Sequence, residues 1–175
     1  IAGRSSGDVL VDIRDNQSIQ TMFEDVGKVD AVVCIAGEAK WAAFDDLSEE
    51  DYYIGIKSKL MGQVNLVRIG RYYVNAAGSF TLTTGILADH QVLMTTSAAM
   101  VNGGIHSFVQ AAALELKQGV RINVVSSGMV EDAVEKYVSY FPGHNPIPMD
   151  KVINGYVKSV EGAASGEIIR MYDNS

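Results

Sequence analysis

The chain has one cysteine, three prolines and few basic residues. Its single thiol, Cys34, cannot form an internal disulfide, and it cannot build a metal site based on several cysteines. The 14 lysines and arginines are scattered and are outnumbered by 21 acidic residues, so the sequence predicts no nucleic-acid partner. No apolar run approaches the roughly 20 residues that span a bilayer. We therefore expect a cytoplasmic protein with no metal and no membrane partner.

The rest of the composition is that of an ordinary globular domain. Of 175 residues, 47% are hydrophobic and 20% are charged. A chain of this length can bury a core as one domain. Cys34 stands in an apolar run, which predicts a buried thiol, and all three prolines fall in the segment 142–148, which predicts a loop.

Short β-branched runs alternate with helical patterns along the chain. Strands are predicted at 9–13, 30–35, 79–84, 121–125 and 167–171, and helices at 15–26, 48–67, 97–116 and 150–160. Asp15 can cap the first helix before Gly27 ends it, and Ser48 with Asp51 resembles a capping box. The alternation predicts an α/β fold, a doubly wound, mostly parallel sheet in a single domain with three α/β/α layers.

Small and hydroxylic residues follow the predicted strands. The segments GRSS, VDIRD, IAG, TTG and SSG stand at the strand ends. Ligands of doubly wound sheets bind beyond the carboxyl ends of the strands, and small residues let a ligand approach the backbone. The sequence therefore predicts a small-molecule site at this edge.

The order and spacing of these segments resemble the short-chain dehydrogenase/reductase family, whose Rossmann-type domains use NAD or NADP. GRSSGDVLVDIRD resembles the family's second and third strands, CIAG its Asn-Asn-Ala-Gly turn, LMGQVNLV its fourth helix, GSFTLTTG its fifth strand, AAALEL its fifth helix and RINVVSSG its sixth strand. The resemblance covers nearly the whole chain. It implies an NAD(P)-binding domain over residues 1–175 and hydride transfer to or from a carbonyl or alcohol substrate.

The resemblance also implies a set of cofactor-binding residues. Arg4 would meet an adenosine ribose phosphate, and no acidic residue stands where NAD-preferring members bind the ribose hydroxyls, so NADP(H) is favoured over NAD(H). A surface arginine is the alternative for Arg4. Asp12 and Ile13 would contact the adenine. The implied cofactor residues are Arg4, Ser5, Asp12, Ile13, Ala36, Gly37, Thr83, Gly128, Met129 and Val130.

The family's catalytic residues are replaced in this chain. Its tyrosine falls on Ala98 and its lysine on Asn102, while its serine aligns with Gly85 and its helix asparagine with Lys59. The tyrosine phenol exchanges a proton with the substrate oxygen, and such help is worth roughly 10²–10⁴-fold in rate. The methyl group of Ala98 carries no proton for this exchange.

Three other side chains are candidates for catalytic roles. Thr84 is the hydroxyl nearest to the lost serine, Lys59 could supply the cation lost at position 102, and His90 lies in the loop that borders the family's substrate pocket. For Lys59 and His90, a solvated lysine and a surface histidine are the alternatives. His106 lies one turn beyond Asn102 on the same helix face, but we expect that turn to lead away from the strand ends.

The sequence is compatible with two functions. The first is an NADP-dependent oxidoreductase with altered catalytic groups. The second is a catalytically silent NAD(P)-binding sensor or interaction protein on the same fold. A nucleoside-dependent methyltransferase fits the alternation but not the segments RINVVSSG and AAALEL.

The resemblance carries two further expectations. The family opens with a strand and a glycine-rich turn that holds the pyrophosphate. Since the sequence begins after that motif, we expect a natural protein with an additional N-terminal segment. Family members also pair their fourth and fifth helices between subunits, so a homodimer or homotetramer is expected through the helices around 50–70 and 97–116.

Overall fold

The computed structural model of the chain describes residues 1–172. Its larger sheet has four parallel strands in the spatial order β3, β4, β5 and β6, and a separate pair consists of the parallel strands β1 and β2. The strands are β1 (Ala2–Gly3), β2 (Val9–Leu10), β3 (Val29–Val33), β4 (Val74–Gly85), β5 (Arg121–Ser127) and β6 (Ile168–Met171). The predicted α/β fold with a parallel sheet is confirmed.

Helices connect these strands and flank the larger sheet. The α-helices within the described residues are α1 (Asn16–Val26), α2 (Glu49–Gly55), α3 (Met61–Gly70), α4 (Thr96–Glu115), α5 (Val134–Tyr137) and α6 (Met149–Glu161). A π-helical turn, Ile56–Leu60, joins α2 to α3. No helix within residues 1–172 is long and apolar enough to cross a membrane.

The boundaries of α1 and the start of α2 follow the capping residues read from the sequence. The carboxylate of Asp15 accepts a hydrogen bond from the backbone N–H of Gln17, and α1 ends at Gly27, whose φ of 76° favours glycine. At the start of α2, Ser48 and Asp51 form the predicted capping box. These local signals fix both ends of α1 and the start of α2.

The main core lies between the larger sheet and the helices α1, α3 and α4. Phe80 and Leu82 of β4 are fully buried there, together with Ile105 and Val109 of α4. Side chains alternate along a strand, so the odd-numbered residues of β4 face the other side of the sheet. The hydroxyl of Thr81 accordingly lies 2.7 Å from that of Ser159 on α6.

The edge strand departs from the prediction. The almost continuously apolar run 30–35 is typical of a strand covered on both faces, but β3 ends at Val33, and Val33 and Ile35 are 48% and 75% exposed. The reason is that the outer edge of β3 pairs with neither β1 nor β2, and a cavity of about 390 Å³ lies between the two sheets. Cys34 in this run is buried, as predicted.

A second departure lies between β5 and α6. The sequence reading leaves the segment 131–140 without regular structure, whereas the chain forms α5 there, flanked by the 3₁₀ turns Glu131–Ala133 and Val138–Tyr140. These short turns bring several aromatic side chains towards the carboxyl end of the sheet.

Candidate active site

A cleft of about 750 Å³ opens at the carboxyl ends of β4 and β5. The strand ends contribute Thr84, Gly85 and Ser127, and the segments 37–41 and 128–130, which follow β3 and β5, complete this side. Residues that follow three neighbouring parallel strands therefore meet in one place. Doubly wound sheets bind their ligands at such an edge.

The cavity between the two sheets adjoins this cleft. Gly37 and Glu38 line both of them. Gly37 has a φ of +127°, and a Cβ built on it would lie 2.8 Å from the Cα of Lys59. A side chain at this junction would be strained and would clash with the helix, so the close approach requires glycine.

The structure brings most of the predicted cofactor residues to these two cavities. Ser5 and Thr83 lie outside both linings, and the Thr83 hydroxyl is instead 2.8 Å from that of Tyr156. The cavity between the sheets is lined by Arg4, Asp12, Ile13 and Ala36. The cleft is lined by Gly128, Met129 and Val130. Gly37 lines both.

Ala98 and Asn102 of α4 both line the cleft. The side chain of Asn102 is buried, and its Nδ2 lies 3.5 Å from the carbonyl oxygen of Gly85. Its Oδ1 has no hydrogen-bond partner among the described residues. Leaving a buried acceptor unpaired costs about 1–3 kcal/mol, so this position suits a ligand that donates a hydrogen bond.

Lys59 lies on the π-helical turn at the junction of the two cavities. Burial lowers the pKa of its ammonium group, because the charged form is poorly solvated there. The neighbouring Cys34 does not compensate, since burial raises the pKa of its thiol and keeps it neutral. Within residues 1–172, the ion pairs found do not include Lys59. The cleft thus contains a half-buried cation that no carboxylate of the described chain neutralises.

Thr84 lines the cleft, but its hydroxyl is already engaged. It lies 2.8 Å from Nε2 of His106, and both side chains are buried. The sequence reading directs His106 away from the strand ends, and this expectation is wrong because Thr84 faces α4 at the end of β4. Burial lowers the pKa of His106 below the ordinary value, which favours the neutral imidazole.

The structure does not bring His90 to the cleft. Its side chain is exposed, and its ring lies beside those of His144 and Tyr172, with centroid distances of 6.0 and 5.9 Å. Of the three candidate catalytic residues, Lys59 and Thr84 line the cleft. The described residues contain no cluster of three or more His, Cys, Asp or Glu side chains that could hold a metal ion.

Sequence reasoning missed the two tyrosines on the aromatic side of the cleft. The ring of Trp41 lies 5.4 Å from that of Tyr137 and 5.7 Å from that of Tyr140, and all three residues line the cleft. The signal was present in EKYVSYF, where aromatic residues recur at helical spacing of three to four. Because the sequence did not indicate that 131–140 forms helical turns, the spacing could not be used to place these rings at the site.

Known proteins resemble the chain in sequence and in structure. A family model described as enoyl-(acyl carrier protein) reductase matches residues 2–151. The solved structure of the protein lin1944 from Listeria innocua is 45% identical, with a TM-score of 0.96 over 98% of this chain and 86% of that one. A search of curated proteins finds no match.

Two solved small-chain dehydrogenases extend the comparison. One is 25% identical, with a TM-score of 0.84 over 94% of this chain and 81% of that one. The other was solved in complex with NADPH and is 24% identical, with a TM-score of 0.81 over 91% of this chain and 80% of that one. Since the family model spans most of the sequence, the chain belongs to the short-chain dehydrogenases/reductases, a family of NAD(P)-dependent oxidoreductases.

Proposed function

We propose that the protein is an NADP-dependent oxidoreductase that transfers a hydride to or from a carbonyl or alcohol group of a small molecule. The observation that carries this proposal is the meeting of two cavities at Gly37. The cavity with Arg4 and Asp12 suits an adenosine end, and the cleft with Met129 suits a nicotinamide end. A dinucleotide binds across such a crevice in doubly wound sheets.

The polar groups of the site fit such a cofactor. The buried Oδ1 of Asn102 can accept a hydrogen bond from a ribose hydroxyl, which would satisfy an atom that the described chain leaves unpaired. A solved relative with the same fold was obtained in complex with NADPH. Asn102 is therefore proposed to bind the cofactor in the position where the family has its lysine.

The charges near Arg4 support NADP over NAD. The Arg4 guanidinium is largely exposed and lies 3.9 Å from the carboxylate of Glu38, a contact too exposed to hold it firmly. The nearby carboxylate of Asp12 is bound by Arg14 at 2.6 Å, which lowers the pKa of Asp12 to about 2. Because Arg14 offsets that negative charge, Arg4 is available for a 2′-phosphate.

Lys59 is the proposed proton donor. The bound nicotinamide would supply the hydride, and the ammonium of Lys59 would donate a proton to the carbonyl oxygen as the carbonyl carbon is reduced. The resulting neutral amine would regain its proton from water. Because its pKa is lowered, Lys59 is a stronger acid than an exposed lysine, which suits this role.

Ala98 favours a second function, a catalytically silent NAD(P)-binding sensor or interaction protein. Its methyl group lines the cleft where the family keeps a phenol. Titration of the protein with NADPH and NADH, followed by a screen of carbonyl compounds, separates the two functions. Binding with turnover supports the oxidoreductase, whereas tight binding without turnover supports the silent protein. Failure to bind either nucleotide contradicts both.

Self-association through the helices α2, α3 and α4 is part of the proposal. Ile54 and Met61 are 41% and 40% exposed, and Met100 and Leu114 of α4 are 45% and 87% exposed. A Cβ on Gly103 would meet nothing within 4 Å, so a second helix could approach α4 closely there. Light scattering should give the mass of a dimer or tetramer, and a stable monomer would contradict the proposal.

A further inference from the structure

The aromatic side of the active-site cleft offers flat surfaces to a ligand. Trp41 and Tyr137 are only partly buried, and their rings meet at 42°. Phe141 is buried in the same hydrophobic cluster and supports them. Aromatic faces of this kind stack well with planar apolar groups.

The charge of the cleft is opposite to that of the chain. The protein has a net charge of −7, yet Lys40, Lys59 and Lys136 line the cleft. Among the described lining residues the one acidic side chain is Glu38, which faces Arg4. Positive charge is therefore concentrated in a concave, partly apolar site, where it acts most strongly on an anion.

Lys136 contacts an aromatic ring of the cleft, and Lys40 is the sequence neighbour of another aromatic residue. Lys136 places its Nζ 4.9 Å from the ring centre of Tyr137, and Lys40 immediately precedes Trp41. The acidic residues of the same segment, Glu131, Asp132 and Glu135, are exposed and lie outside the cleft lining. The positive charge and the flat apolar surface thus belong to one part of the cleft.

We propose that the substrate is a carboxylate that also carries a planar, apolar group, such as an aromatic or conjugated oxo acid. Its planar group stacks on Trp41 and its carboxylate faces Lys40 and Lys136. This proposal rests on the proposed function, because it names the substrate class of the same site. Lys59 remains free to act at the carbonyl oxygen.

Intrinsic fluorescence tests this assignment without a catalytic reaction. Trp41 is the single tryptophan of the chain, so its emission reports directly on the cleft. Three probes are titrated: phenylpropionate, its neutral amide phenylpropanamide, and cyclohexylpropionate, which keeps the charge but is not planar. We expect phenylpropionate to bind about fivefold more tightly than the amide, as two partly exposed charge pairs would give, and more tightly than the cyclohexyl acid.

The variants separate the role of these lysines from general effects of charge. In Lys40→Gln/Lys136→Gln, we expect the preference for the acid over the amide to disappear. Lys57→Gln is the matched control, because Lys57 also stacks on a tyrosine, with Nζ 5.4 Å from the ring centre of Tyr53, but lies outside the cleft lining. The control should keep the preference of the wild type.

Three results would overturn the assignment. The first is that the wild type binds the acid and the amide equally, or binds neither. The second is that the preference for the acid survives in the double variant. The third is that the wild type binds the cyclohexyl acid as tightly as phenylpropionate or more tightly. NADPH is titrated in the same proteins. If the double variant loses affinity for NADPH but keeps it for phenylpropionate, the lysines serve the cofactor and the assignment is also wrong. A wild type that prefers the acid but does not bind NADPH would contradict the proposed function alone.

Discussion

Two buried asparagines in this domain have opposite surroundings. On β5, the Nδ2 of Asn123 donates to the carbonyl oxygen of Ala164 at 2.9 Å, and its Oδ1 accepts from the N–H of Glu167 at 3.0 Å. On α4, Asn102 makes one long contact of 3.5 Å, and its Oδ1 has no partner within residues 1–172. The first amide links the sheet to the segment before β6, whereas the second leaves an acceptor open in the cleft.

Two fully buried serines repeat the contrast. The hydroxyl of Ser159 lies 2.7 Å from that of Thr81 and accepts a hydrogen bond from Asn123 at 3.3 Å. The hydroxyl of Ser97, at the start of α4, has no partner in the described part of the chain. Buried polar groups that satisfy one another stabilise a unique fold, whereas unpaired ones cost stability unless a ligand completes them. The comparison predicts that substitutions on α6 and β5 affect stability and that those near the cleft affect binding and turnover.

The largest expected effect is that of Lys59→Met. Turnover should fall by roughly 10²–10⁴-fold, as expected for a lost proton donor. The protein should unfold at a higher temperature at neutral pH, because a poorly solvated ammonium is removed. The pKa of Lys59 is lowered in the folded state, so its destabilising effect is complete below that pKa and is relieved as the pH rises through it. The gain in stability should therefore shrink at alkaline pH.

The control for this prediction is Lys57→Met, which removes an exposed lysine from the same helical turn. Turnover with saturating NADPH and thermal unfolding at neutral and alkaline pH are measured for both variants. If Lys59→Met retained the wild-type turnover, the proposed proton donor would be wrong. If it unfolded more easily than Lys57→Met, Lys59 would belong with the stabilising groups instead.

The second effect is a loss of stability in Asn123→Ala. The substitution leaves the backbone N–H of Glu167 and the carbonyl oxygen of Ala164 without their partner. At about 1–3 kcal/mol for an unsatisfied buried group, we expect the free energy of unfolding to fall by about 2–3 kcal/mol, measured by urea denaturation. Affinity for NADPH should remain that of the wild type. A weakened affinity in the folded variant would contradict the separation of the two regions.

Helices and strands that depend on local sequence signals could be predicted from the sequence. Asp15 and the pair Ser48–Asp51 cap their helices within three residues of their partners, so the capping could be read from the sequence. The alternation of strands and helices likewise gave the parallel sheet. What the apolar run 30–35 did not indicate is the loose outer edge of β3, because the pairing of a strand depends on a neighbour that its own sequence does not specify.

The arrangement of the candidate site was harder to predict than the fold, because it depends on contacts between residues that are distant in the sequence. Lys59 could be proposed from its alignment, but its half-buried position follows from the packing of Gly37 against the π-helical turn. Thr84 and His106 are 22 residues apart, and their hydrogen bond follows from which face of β4 meets α4. The aromatic rings join the cleft through turns that have weak local signals.

The third effect is weaker binding of NADPH in Asn102→Ala. One buried hydrogen bond to the ribose would be lost, so the dissociation constant should rise about five- to tenfold. Stability of the protein without cofactor should not fall and should rise by up to about 1 kcal/mol, since the substitution removes a buried acceptor that has no partner within the described chain. This outcome opposes the one expected for Asn123→Ala, and the two variants are each other's control in NADPH titration and urea denaturation. Unchanged NADPH affinity would remove Asn102 from the cofactor site.

A last pair of variants separates the two serines. Ser159→Ala should lower the free energy of unfolding by about 1–2 kcal/mol, because the hydroxyl of Thr81 and the Nδ2 of Asn123 both lose a partner. Ser97→Ala removes a hydroxyl that is equally buried but has no partner among residues 1–172, so stability should stay within about 0.5 kcal/mol of the wild type or rise slightly. Urea denaturation of both variants under one set of conditions measures the difference. Equal losses in the two variants would mean that Ser97 is also held by a hydrogen bond in solution, and the distinction between paired and unpaired polar groups would then apply to the asparagines alone.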